Sequence, residues 1–415
     1  MPIRGSIILP GDKSISHRVI MLAGLTDGEC IIHNLSTGRD VESTRFCLYN
    51  CGIKSRKKNE VTYISGGEFE NPISPLDCGN SGTTTRLISG LLSGQGVTGK
   101  LIGDVSLSAR PMGRVILPLT EMGAEISSTN GKLPLSIFSR KLKGIEYTLP
   151  VASAQVKSCI ILATLGAMSE TKIIDPFKTR DHSEIILKSL GANILVDKNE
   201  ILISPLNGKL NSFELTVPGD PSSAAFFAAA TAMIPNSDLI IKKISANPTR
   251  LGFFNVLEKM GGGIEWKNLH RECGELVGDV HIYFQPLHGI SLKKEDIPSI
   301  IDELPILAVL ASTADGPTII EGAGELRVKE TDRIHAICTN LLSMGVNVVE
   351  KKDGFIIDAP NILQSTNIKS FGDHRIAMAF TIAGLSAGSY NQIDDMDCVN
   401  ISFPEFSETL KSIIK

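Results

Sequence analysis

The chain has 415 residues, which exceeds the size of one ordinary domain and predicts two or three. Hydrophobic residues make up 42% of it and charged residues 21%, as is typical of soluble globular proteins, and the formal net charge of −4 argues against a strongly basic nucleic-acid-binding protein. No apolar run approaches the roughly 18 residues that a membrane-spanning helix needs. The first apolar stretch stops at Pro10, too early for the apolar region of a signal peptide, so we expect a cytoplasmic protein without a membrane or nucleic-acid partner.

The eight cysteines are spread over the chain, without a Cys-x-x-Cys pair and without a Cys/His cluster at the spacing of zinc ligands. A chain of this size does not need disulfide bonds for its stability. We therefore predict reduced, mostly buried thiols and no metal site.

The first recurring element along the chain is a predicted surface helix that ends in glycine and runs into a β-strand. A glycine suits the left-handed position that closes a helix. Five copies lie 68 to 83 residues apart, and a predicted helix over 408–415 marks the place of a sixth. A repeat of about 69 residues, taken six times, covers nearly the whole chain. The closing glycines are Gly52, Gly123, Gly191, Gly262 and Gly345.

A second series of predicted helices interleaves with the first. These helices are apolar on nearly every side, as over 159–165, which is typical of a helix buried all round. Each repeat is then a βαβαββ unit with one buried and one surface helix, and three units can close around three central helices. We predict an α/β protein with two such three-unit domains. The buried helices begin near Arg18, Arg86, Lys157, Ala224, Leu304 and Arg375.

A polar string precedes each buried helix, for example Gly-Asp-Lys-Ser at 11–14 and Gly-Asn-Ser-Gly at 79–82. Helix N-termini carry unpaired N–H groups and the positive end of the helix dipole, so they favour anions. Capping by Ser, Asp or Thr explains about one residue per helix. It does not explain cations there, because a cation opposes the dipole. If the helices converge, these cations form a positive pocket for a small ligand with several negative charges; they are Lys13, Arg18, Arg86, Lys157 and Arg375.

Further cations lie in predicted loops, at Arg110, at Arg180 and in the charged run 327–333. An alternative for the run is the solvated face of a charged helix. No Walker A, His-Glu-x-x-His, Gly-x-Ser-x-Gly or Gly-x-Gly-x-x-Gly motif follows a predicted strand, so the sequence does not indicate nucleotide-dependent or covalent-nucleophile chemistry. Aromatic residues make up only 5% of the chain, which also disfavours nucleic-acid binding.

In their order and spacing, six of these strings resemble the 5-enolpyruvylshikimate-3-phosphate synthase family over the whole chain. The resemblance implies two inside-out α/β barrel domains, each of three βαβαββ units. It implies one domain over 12–217 and another formed by 1–11 with 218–415, joined by hinge crossings near 11–12 and 217–218. The strings are Gly-Asp-Lys-Ser at 11–14, Asn-Ser-Gly-Thr at 80–83, Arg-Pro-Met at 110–112, Ser-Ala-Gln-Val-Lys at 153–157, Arg-Val-Lys-Glu-Thr-Asp-Arg at 327–333 and Gly-Asp-His-Arg at 372–375.

The resemblance also implies which residues contact the two substrates of the family, shikimate-3-phosphate and phosphoenolpyruvate. Two phosphates and two carboxylates need several cations, and Arg suits the bidentate recognition of oxyanions. By match, the residues that bind shikimate-3-phosphate are Lys13, Ser14, Arg18, Ser153, Ala154, Gln155, Arg180, Asp302 and Lys329. Those that bind phosphoenolpyruvate are Lys13, Asn80, Gly82, Arg110, Gln155, Arg333 and Arg375.

The implied reaction transfers the carboxyvinyl (enolpyruvyl) group of phosphoenolpyruvate to the 5-hydroxyl of shikimate-3-phosphate by addition and elimination, and it releases phosphate. The reaction belongs to the shikimate pathway, which leads to chorismate and the aromatic amino acids. It needs a base at the hydroxyl and an acid at the methylene carbon. We expect Asp302 to be the base and Lys13 and Glu330 to handle the other proton. No metal or organic cofactor is required, and a hinged two-domain enzyme can work as a monomer.

Three positions depart from the better-known branch of the family. Ala154 stands where that branch has a second serine, Glu325 where it has an asparagine, and Ile401 where it has a lysine. The change at Ile401 removes one cation from the phosphate side. The strings Gly-Asp-Lys-Ser, Ser-Ala-Gln-Val-Lys, Arg-Asp-His-Ser-Glu at 180–184 and Asn-Pro-Thr-Arg at 247–250 resemble a second branch, associated with lower glyphosate sensitivity.

Two alternatives remain open at this point. A UDP-N-acetylglucosamine enolpyruvyl transferase shares the fold, but that family has a functional cysteine in the loop where this chain has 105–108, and none of those four residues is cysteine. A non-catalytic relative that binds phosphorylated sugars would have lost its acid and base groups, whereas Asp302, Lys13 and Glu330 are all present.

Overall fold

The computed structural model describes residues 1–415. The strands are β1 Arg4–Ile8, β2 Glu29–His33, β3 Lys54–Lys58, β4 Val61–Ser65, β5 Leu76–Asp77, β6 Gly99–Ile102, β7 Glu125–Thr129, β8 Lys132–Phe138, β9 Glu146–Thr148, β10 Thr171–Ile174, β11 Ile194–Asp197, β12 Glu200–Ile203, β13 Glu214–Thr216, β14 Asp238–Ser245, β15 Gly263–Glu272, β16 Glu275–Tyr283, β17 Ser291–Leu292, β18 Thr318–Ile320, β19 Asn347–Lys351, β20 Gly354–Asp358, β21 Asn367–Ile368 and β22 Gln392–Ile393. The α-helices are α1 Lys13–Gly24, α2 Arg39–Asn50, α3 Gly82–Gly94, α4 Val105–Ala109, α5 Gly113–Glu121, α6 Ala154–Thr164, α7 His182–Ser189, α8 Pro221–Met233, α9 Gly252–Lys259, α10 Ile297–Ile300, α11 Leu304–Ala311, α12 Arg333–Ser343, α13 His374–Ser386 and α14 Phe406–Ile413. Short 3₁₀ helices cover Pro248–Arg250, Gly324–Val328 and Asp397–Ile401.

The chain divides into two compact units. The first unit comprises residues 11–217 together with the turn 271–275, and the second comprises 1–10, 218–270 and 276–415. Each unit has its own continuous hydrophobic core. No helix is long and apolar enough to cross a membrane.

The first unit contains three four-stranded sheets of one pattern. Their strand orders are β13-β2-β4-β3, β5-β6-β8-β7 and β11-β12-β10-β9. In each sheet one pair is parallel, and the remaining neighbours are antiparallel. A parallel pair needs a helical crossover, whereas antiparallel neighbours need only a short turn. The predicted βαβαββ repeat is therefore confirmed.

The second unit repeats this pattern with a reduced last copy. Its sheets have the orders β1-β14-β16-β15, β17-β18-β20-β19 and β21-β22. The strand β1 supplies the parallel neighbour of β14, while β13 plays that part for β2 in the first unit. The chain thus enters the second unit, leaves it after Pro10 and returns at Pro218.

Three buried helices form the centre of each unit. Helices α1, α3 and α6 pack together in the first unit, and α8, α11 and α13 in the second. The closest pair is α3 and α6, where a methyl group at Gly90 would lie 2.1 Å from the carbonyl oxygen of Cys159. Only a residue without a side chain permits that approach. The predicted central helices are confirmed.

Two details of the predicted repeat were wrong. In the fourth repeat Gly261, rather than Gly262, takes the left-handed conformation, with φ +89°. The first three buried helices begin three to five residues earlier than predicted, because their polar strings form the first helical turn. Arg18, Arg86 and Lys157 therefore lie in the second turn, away from the exposed N–H groups of the helix ends.

Candidate active site

Side-chain caps begin five of the six buried helices. Asp12 accepts from Ile15 N at 2.9 Å, Ser81 from Thr84 N at 3.1 Å and Ser153 from Val156 N at 3.4 Å. In the second unit, Asp220 accepts from Ser222 N at 2.8 Å, and Asp373 accepts from Arg375 N at 2.9 Å. Helix α11 has no such cap, because Glu303 makes no hydrogen bond to its first turn. Capping accounts for about one polar residue per helix, as predicted, so the others have separate roles.

Lys13 begins α1 and is held by a carboxylate from the next helix. Its Nζ lies 2.9 Å from Asp40 Oδ2, and both side chains keep some exposure, 20% for Lys13 and 10% for Asp40. An ion pair at a partly open position fixes the ammonium in place while leaving it accessible. Lys13 is therefore placed to meet a ligand.

Arg18 is buried without a carboxylate partner. Its guanidinium donates to Ser183 Oγ at 2.8 Å, Ser158 Oγ at 2.6 Å and the carbonyl oxygen of Ser14 at 2.7 Å. Burial lowers the pKa of Arg18 below its usual value, to about 10, although the more distant carboxylates Glu184 and Asp12 act in the opposite sense; Arg180 adds to the lowering. An anion bound beside these two cations would offset the cost of burying them. Ser14, Arg18 and Arg180 are thus brought together.

His17 belongs to a chain of hydroxyl groups that links the first three helices of the unit. Its Nδ1 lies 2.6 Å from Thr44 Oγ1, which lies 2.7 Å from Thr84 Oγ1, and Thr84 donates to Ser81 Oγ at 2.7 Å. Burial holds the pKa of His17 well below its usual value, and Lys13 lowers it further. The imidazole is therefore neutral and serves to fix α1 against its neighbours.

Asn80 and Arg110 are held by the loop that leads into α4. Asn80 donates to Asp104 Oδ2 at 2.7 Å, and Arg110 Nη2 donates to Asn80 Oδ1 at 2.7 Å. Asp104 is itself the cap of α4. Two loops that the sequence places 30 residues apart are thus joined.

The amide of Gln155 is held at both ends. Arg86 Nη1 donates to its Oε1, and its Nε2 donates to Thr83 Oγ1 at 2.8 Å. Arg86, in the second turn of α3, thereby fixes the position of the Gln155 side chain. Ser153 and Ala154 lie half-buried in the same first turn of α6.

Gly82 is the first residue of α3 and faces two guanidinium groups. A methyl group there would lie 3.4 Å from Arg86 Nη1 and 3.5 Å from Arg110 Nη1. These are ordinary contact distances, so the protein accepts a methyl group but loses the open space beside the two cations.

Lys157 does not contribute to a positive pocket, which corrects the expectation from the sequence. Its Nζ is buried and lies 3.0 Å from Asp175 Oδ2 and 2.7 Å from Glu184 Oε1. Burial alone would lower the pKa of Lys157, but these two carboxylates more than offset it and hold the pKa above its usual value. Lys157 instead fixes the segment that leads from Asp175 to Arg180.

Asp302 lies in the turn between the short helix α10 and α11 in the second unit. Lys329 donates to its Oδ1 at 3.3 Å, and Arg333 Nη1 lies 3.7 Å from the same atom. Arg375 Nη1 donates to the carbonyl oxygen of Asp302 at 2.9 Å. Three predicted site cations thus converge on one predicted catalytic residue.

Arg333 is the most buried of these cations, with 1% of its side chain exposed. It donates through Nε to Asp373 Oδ2 at 2.7 Å and through Nη2 to Glu330 Oε2 at 2.6 Å. Burial alone would lower its pKa, but Asp373 and Glu330 more than offset this and keep the pKa of Arg333 above its usual value. Arg333 is therefore permanently charged, and its Nη1 is a buried donor with no hydrogen-bond partner.

The charged run 327–333 is not the face of a helix. It leaves a 3₁₀ helix that ends at Val328, turns, and enters α12 at Arg333. Ile401 ends another 3₁₀ helix, and its apolar side chain packs against the core of the second unit. It therefore supplies no positive charge in place of the lysine of the other branch.

The sequence did not reveal several partners of the predicted residues. Asp40, Thr83 and Asp373 hold Lys13, Gln155 and Arg333. Thr83 lies in the Asn-Ser-Gly-Thr string and Asp373 in the Gly-Asp-His-Arg string, so the sequence marks the positions of both but not their partners. Asp40 carried no such signal, because it lies in a surface helix among other charged residues.

Comparison with known proteins extends this picture. Residues 1–410 match the family model described as EPSP synthase (3-phosphoshikimate 1-carboxyvinyltransferase). A 3-phosphoshikimate 1-carboxyvinyltransferase from Persephonella marina is 45% identical over 99% of this chain and 97% of its own length. One from Alkaliphilus metalliredigens is 44% identical over 100% of this chain and 98% of its own.

Solved structures agree with these matches. The EPSP synthase from Acinetobacter baumannii superimposes with a TM-score of 0.88 at 39% identity, covering 99% of this chain and 96% of that one. The enolpyruvyl transferase NikO from Streptomyces tendae gives a TM-score of 0.79 at 16% identity, over 99% of this chain and 95% of that one, which is a likeness of fold. The fold is that of the enolpyruvyl transferases, with two inside-out α/β barrel domains. The chain belongs to the EPSP synthase (3-phosphoshikimate 1-carboxyvinyltransferase) family.

Proposed function

We propose that Asp302, Lys13 and Glu330 move the protons in the reaction of this family, which transfers the enolpyruvyl group of phosphoenolpyruvate to the 5-hydroxyl of shikimate-3-phosphate. The observation that carries the proposal is the position of Asp302, a partly exposed carboxylate whose side chain meets Lys329 and Arg333 and whose carbonyl is held by Arg375. A base must be held at a fixed place beside the hydroxyl whose proton it takes. The three contacts hold Asp302 at a fixed place in the second unit, which supports its assignment as the base.

The addition step removes one proton from the hydroxyl oxygen and adds one proton to the methylene carbon. Asp302 takes the proton of the 5-hydroxyl while the oxygen of that hydroxyl bonds to C2 of phosphoenolpyruvate, and an acid protonates the methylene carbon. The candidates for that acid are Lys13, whose ammonium pairs with Asp40, and Glu330, which Arg333 holds in place. In the elimination step a proton leaves the new methyl group, the bond from C2 to the phosphate oxygen breaks, and phosphate departs.

The substrate anions are assigned to the cations of each unit. In the first unit we assign shikimate-3-phosphate to the buried Arg18 with Ser14 and Arg180, supported by the absence of a carboxylate partner for Arg18. Phosphoenolpyruvate is assigned to Arg110 with Asn80 and to Arg333 and Arg375. Fixed cations at these places stabilise the charge that develops on the leaving phosphate. The remaining proposed contacts are Lys13, Gly82, Ser153, Ala154, Gln155, Asp302 and Lys329.

A solvent-isotope experiment tests the addition and elimination of protons. Since the methylene carbon takes up a solvent-exchangeable proton and then loses one of three from a methyl group, turnover in D₂O is expected to place deuterium on the vinyl carbon of the product, as read by NMR. A product without deuterium there would contradict the proton transfers assigned to Lys13 and Glu330.

We further propose that the chain belongs to the second branch of the family, with lower glyphosate sensitivity. Support comes from Ala154 and from Ile401, which offers no cation to the inhibitor's phosphonate. A missing charge-assisted hydrogen bond costs about 1.5–3 kcal/mol, which corresponds to more than tenfold weaker binding. We therefore expect weaker inhibition than in an enzyme that has lysine at that position.

Gly82→Ala is expected to weaken glyphosate binding by about 5- to 150-fold, since the methyl group takes up the open space beside the two cations and crowding a bound ligand there costs about 1–3 kcal/mol. The Michaelis constant for phosphoenolpyruvate should rise less, because the substrate is the shorter anion. The measurement is a pair of inhibition curves in competition with phosphoenolpyruvate. Gly67→Ala, at a glycine with no atom within 4 Å of the added methyl group, is the matched control. Unchanged inhibition in Gly82→Ala would show that Gly82 does not line the inhibitor's pocket.

We propose that the protein acts as a cytoplasmic monomer. All eight cysteines are free, which suits a reducing compartment, and each unit buries its own core without a second chain. Sedimentation equilibrium is expected to give a mass near 44.6 kDa. A mass of twice that value would contradict the monomer.

A further inference from the structure

A second carboxylate, Glu303, lies directly beside Asp302 but points into the protein. Only 5% of Glu303 is exposed, and its Oε1 accepts a hydrogen bond from Ser222 Oγ at the start of α8. Although Glu303 precedes α11, its side chain makes no cap with that helix. The carboxylate is thus used to join two central helices of the second unit.

Ser222 is in turn held by Arg250. The guanidinium Nη2 lies 3.0 Å from Ser222 Oγ and 2.9 Å from Asp220 Oδ1, the cap of α8. Arg250 closes the Asn-Pro-Thr-Arg string at 247–250, and its own N donates to the carbonyl oxygen of Asn247 at 2.8 Å. None of the substrate contacts and proton transfers proposed above involves Arg250.

The direction of this chain of hydrogen bonds is fixed by chemistry. A guanidinium only donates and an ionised carboxylate only accepts, so the hydroxyl of Ser222 must accept from Arg250 and donate to Glu303. Hydrogen bonds with one charged partner are shorter and stronger than those between neutral groups. The chain is therefore a directed and stiff connection from Arg250 to Glu303.

The peptide between Asp302 and Glu303 is held on both sides. Arg375 binds the carbonyl oxygen of Asp302, and Ser222 binds the side chain of the next residue. Lys329 and Arg333 contact Asp302 only at its carboxylate oxygen Oδ1, at the end of the side chain. A displacement of Glu303 would therefore rotate the backbone from which Asp302 projects.

We propose that Arg250 and Ser222 are positioning residues, which act through Glu303 to fix Asp302 at the site of proton transfer. The inference rests on the role proposed above for Asp302. None of the three residues of the chain contacts a reacting atom in this assignment; they set the place of the one that does.

Ser222→Ala removes the central hydroxyl and is expected to lower kcat by about 10- to 100-fold, since a displacement of about 1 Å in an active site can cost 10²-fold. The Michaelis constants should change less than about threefold, because no substrate contact is removed. Glu303→Gln keeps an oxygen that accepts from Ser222 and should retain kcat within about threefold. Ser223→Ala, the next residue on α8 and without a side-chain hydrogen bond, is the matched control and should equal the wild type.

A double-mutant cycle separates positioning from a general loss of structure. If Ser222 acts through Asp302, then Ser222→Ala should cause no further loss of kcat in the Asp302→Asn background. The same fold-loss in both backgrounds, or no loss in the wild type, would overturn the inference. Should Ser222→Ala melt below the assay temperature, Glu303→Asp, which withdraws the carboxylate from Ser222 by one methylene, is judged by the same criterion.

Failure of the role of Asp302 itself has a different signature. In that case Asp302→Asn alone keeps most of its turnover, whatever Ser222→Ala does. The two outcomes are therefore read from separate variants in one set of assays.

Discussion

Asp302→Asn is expected to lower kcat by about 10²- to 10⁴-fold, the usual contribution of a general acid or base. The amide keeps the shape of the carboxylate, and its oxygen can still accept from Lys329, but it cannot take the proton of the 5-hydroxyl. The affinity for shikimate-3-phosphate should change far less, since binding rests mainly on cations elsewhere. Steady-state kinetics with both substrates varied measures the two effects separately.

The control for this variant is Asp296→Asn. Asp296 caps a turn of the same unit by accepting from Lys293 N at 3.0 Å, and an asparagine can do the same. We expect unchanged kinetics there. If Asp302→Asn retained more than about a third of wild-type turnover, far above the range for a lost base, Asp302 would not be the base.

Asp175→Asn is expected to lower the free energy of unfolding by about 3–5 kcal/mol, the cost of removing one partner from a buried ion pair. Asp175 accepts from Lys157 Nζ at 3.0 Å, Thr179 N at 2.9 Å, Thr179 Oγ1 at 2.7 Å and Phe177 N at 3.1 Å. Because every neighbour is a donor, an amide NH₂ at this place must face another donor. Urea denaturation followed by circular dichroism measures the change.

The effect of Asp175→Asn should also depend on pH. Burial alone would raise the pKa of Asp175, but Lys157 and the hydrogen bonds from Thr179 hold it below its usual value. The contribution of Asp175 to stability is therefore complete above its unfolded pKa of about 3.9 and is lost as the pH falls through the lower folded pKa. The difference between wild type and variant should shrink below about pH 4.

Glu184, the other partner of Lys157, should behave in the opposite sense. Burial raises its pKa despite the pair with Lys157, and its Oε2 has no hydrogen-bond partner. Its contribution is present below the unfolded pKa and declines as the pH rises through the folded one. The decrease at low pH is thus assigned to Asp175 and not to Glu184.

An exposed ion pair provides the control for Asp175→Asn. Lys172 lies 2.9 Å from Glu200 on the surface of the same unit, and Glu200→Gln should change stability by less than about 0.5 kcal/mol. A loss from Asp175→Asn no larger than that of the control would contradict the buried network.

The repeat and the central helices could be predicted from the sequence because both depend on local patterns. The closing glycines and the all-apolar helices recur along the chain, and neither needs knowledge of distant contacts. The predicted helix starts are too late because the sequence pattern marks only the apolar part of each helix, whereas polar residues such as Ser14 and Thr83 form the first turns.

The partners of the site residues could not be predicted, since they depend on pairs that are far apart along the chain. Lys157 was expected to face a ligand, but Asp175 and Glu184 come from a later strand end and helix. Glu303 lies 81 residues from Ser222, and nothing near either position indicates the other. A charge in a sequence shows its sign but not its partner.

The most direct test of the central claim is phosphate release by the purified protein with defined substrate pairs. With phosphoenolpyruvate and shikimate-3-phosphate, we expect one phosphate for each 5-enolpyruvylshikimate-3-phosphate formed, and no release when either substrate is left out. With UDP-N-acetylglucosamine in place of shikimate-3-phosphate, we expect none. Phosphate release with the nucleotide sugar, or binding of both family substrates without turnover, would contradict the assignment.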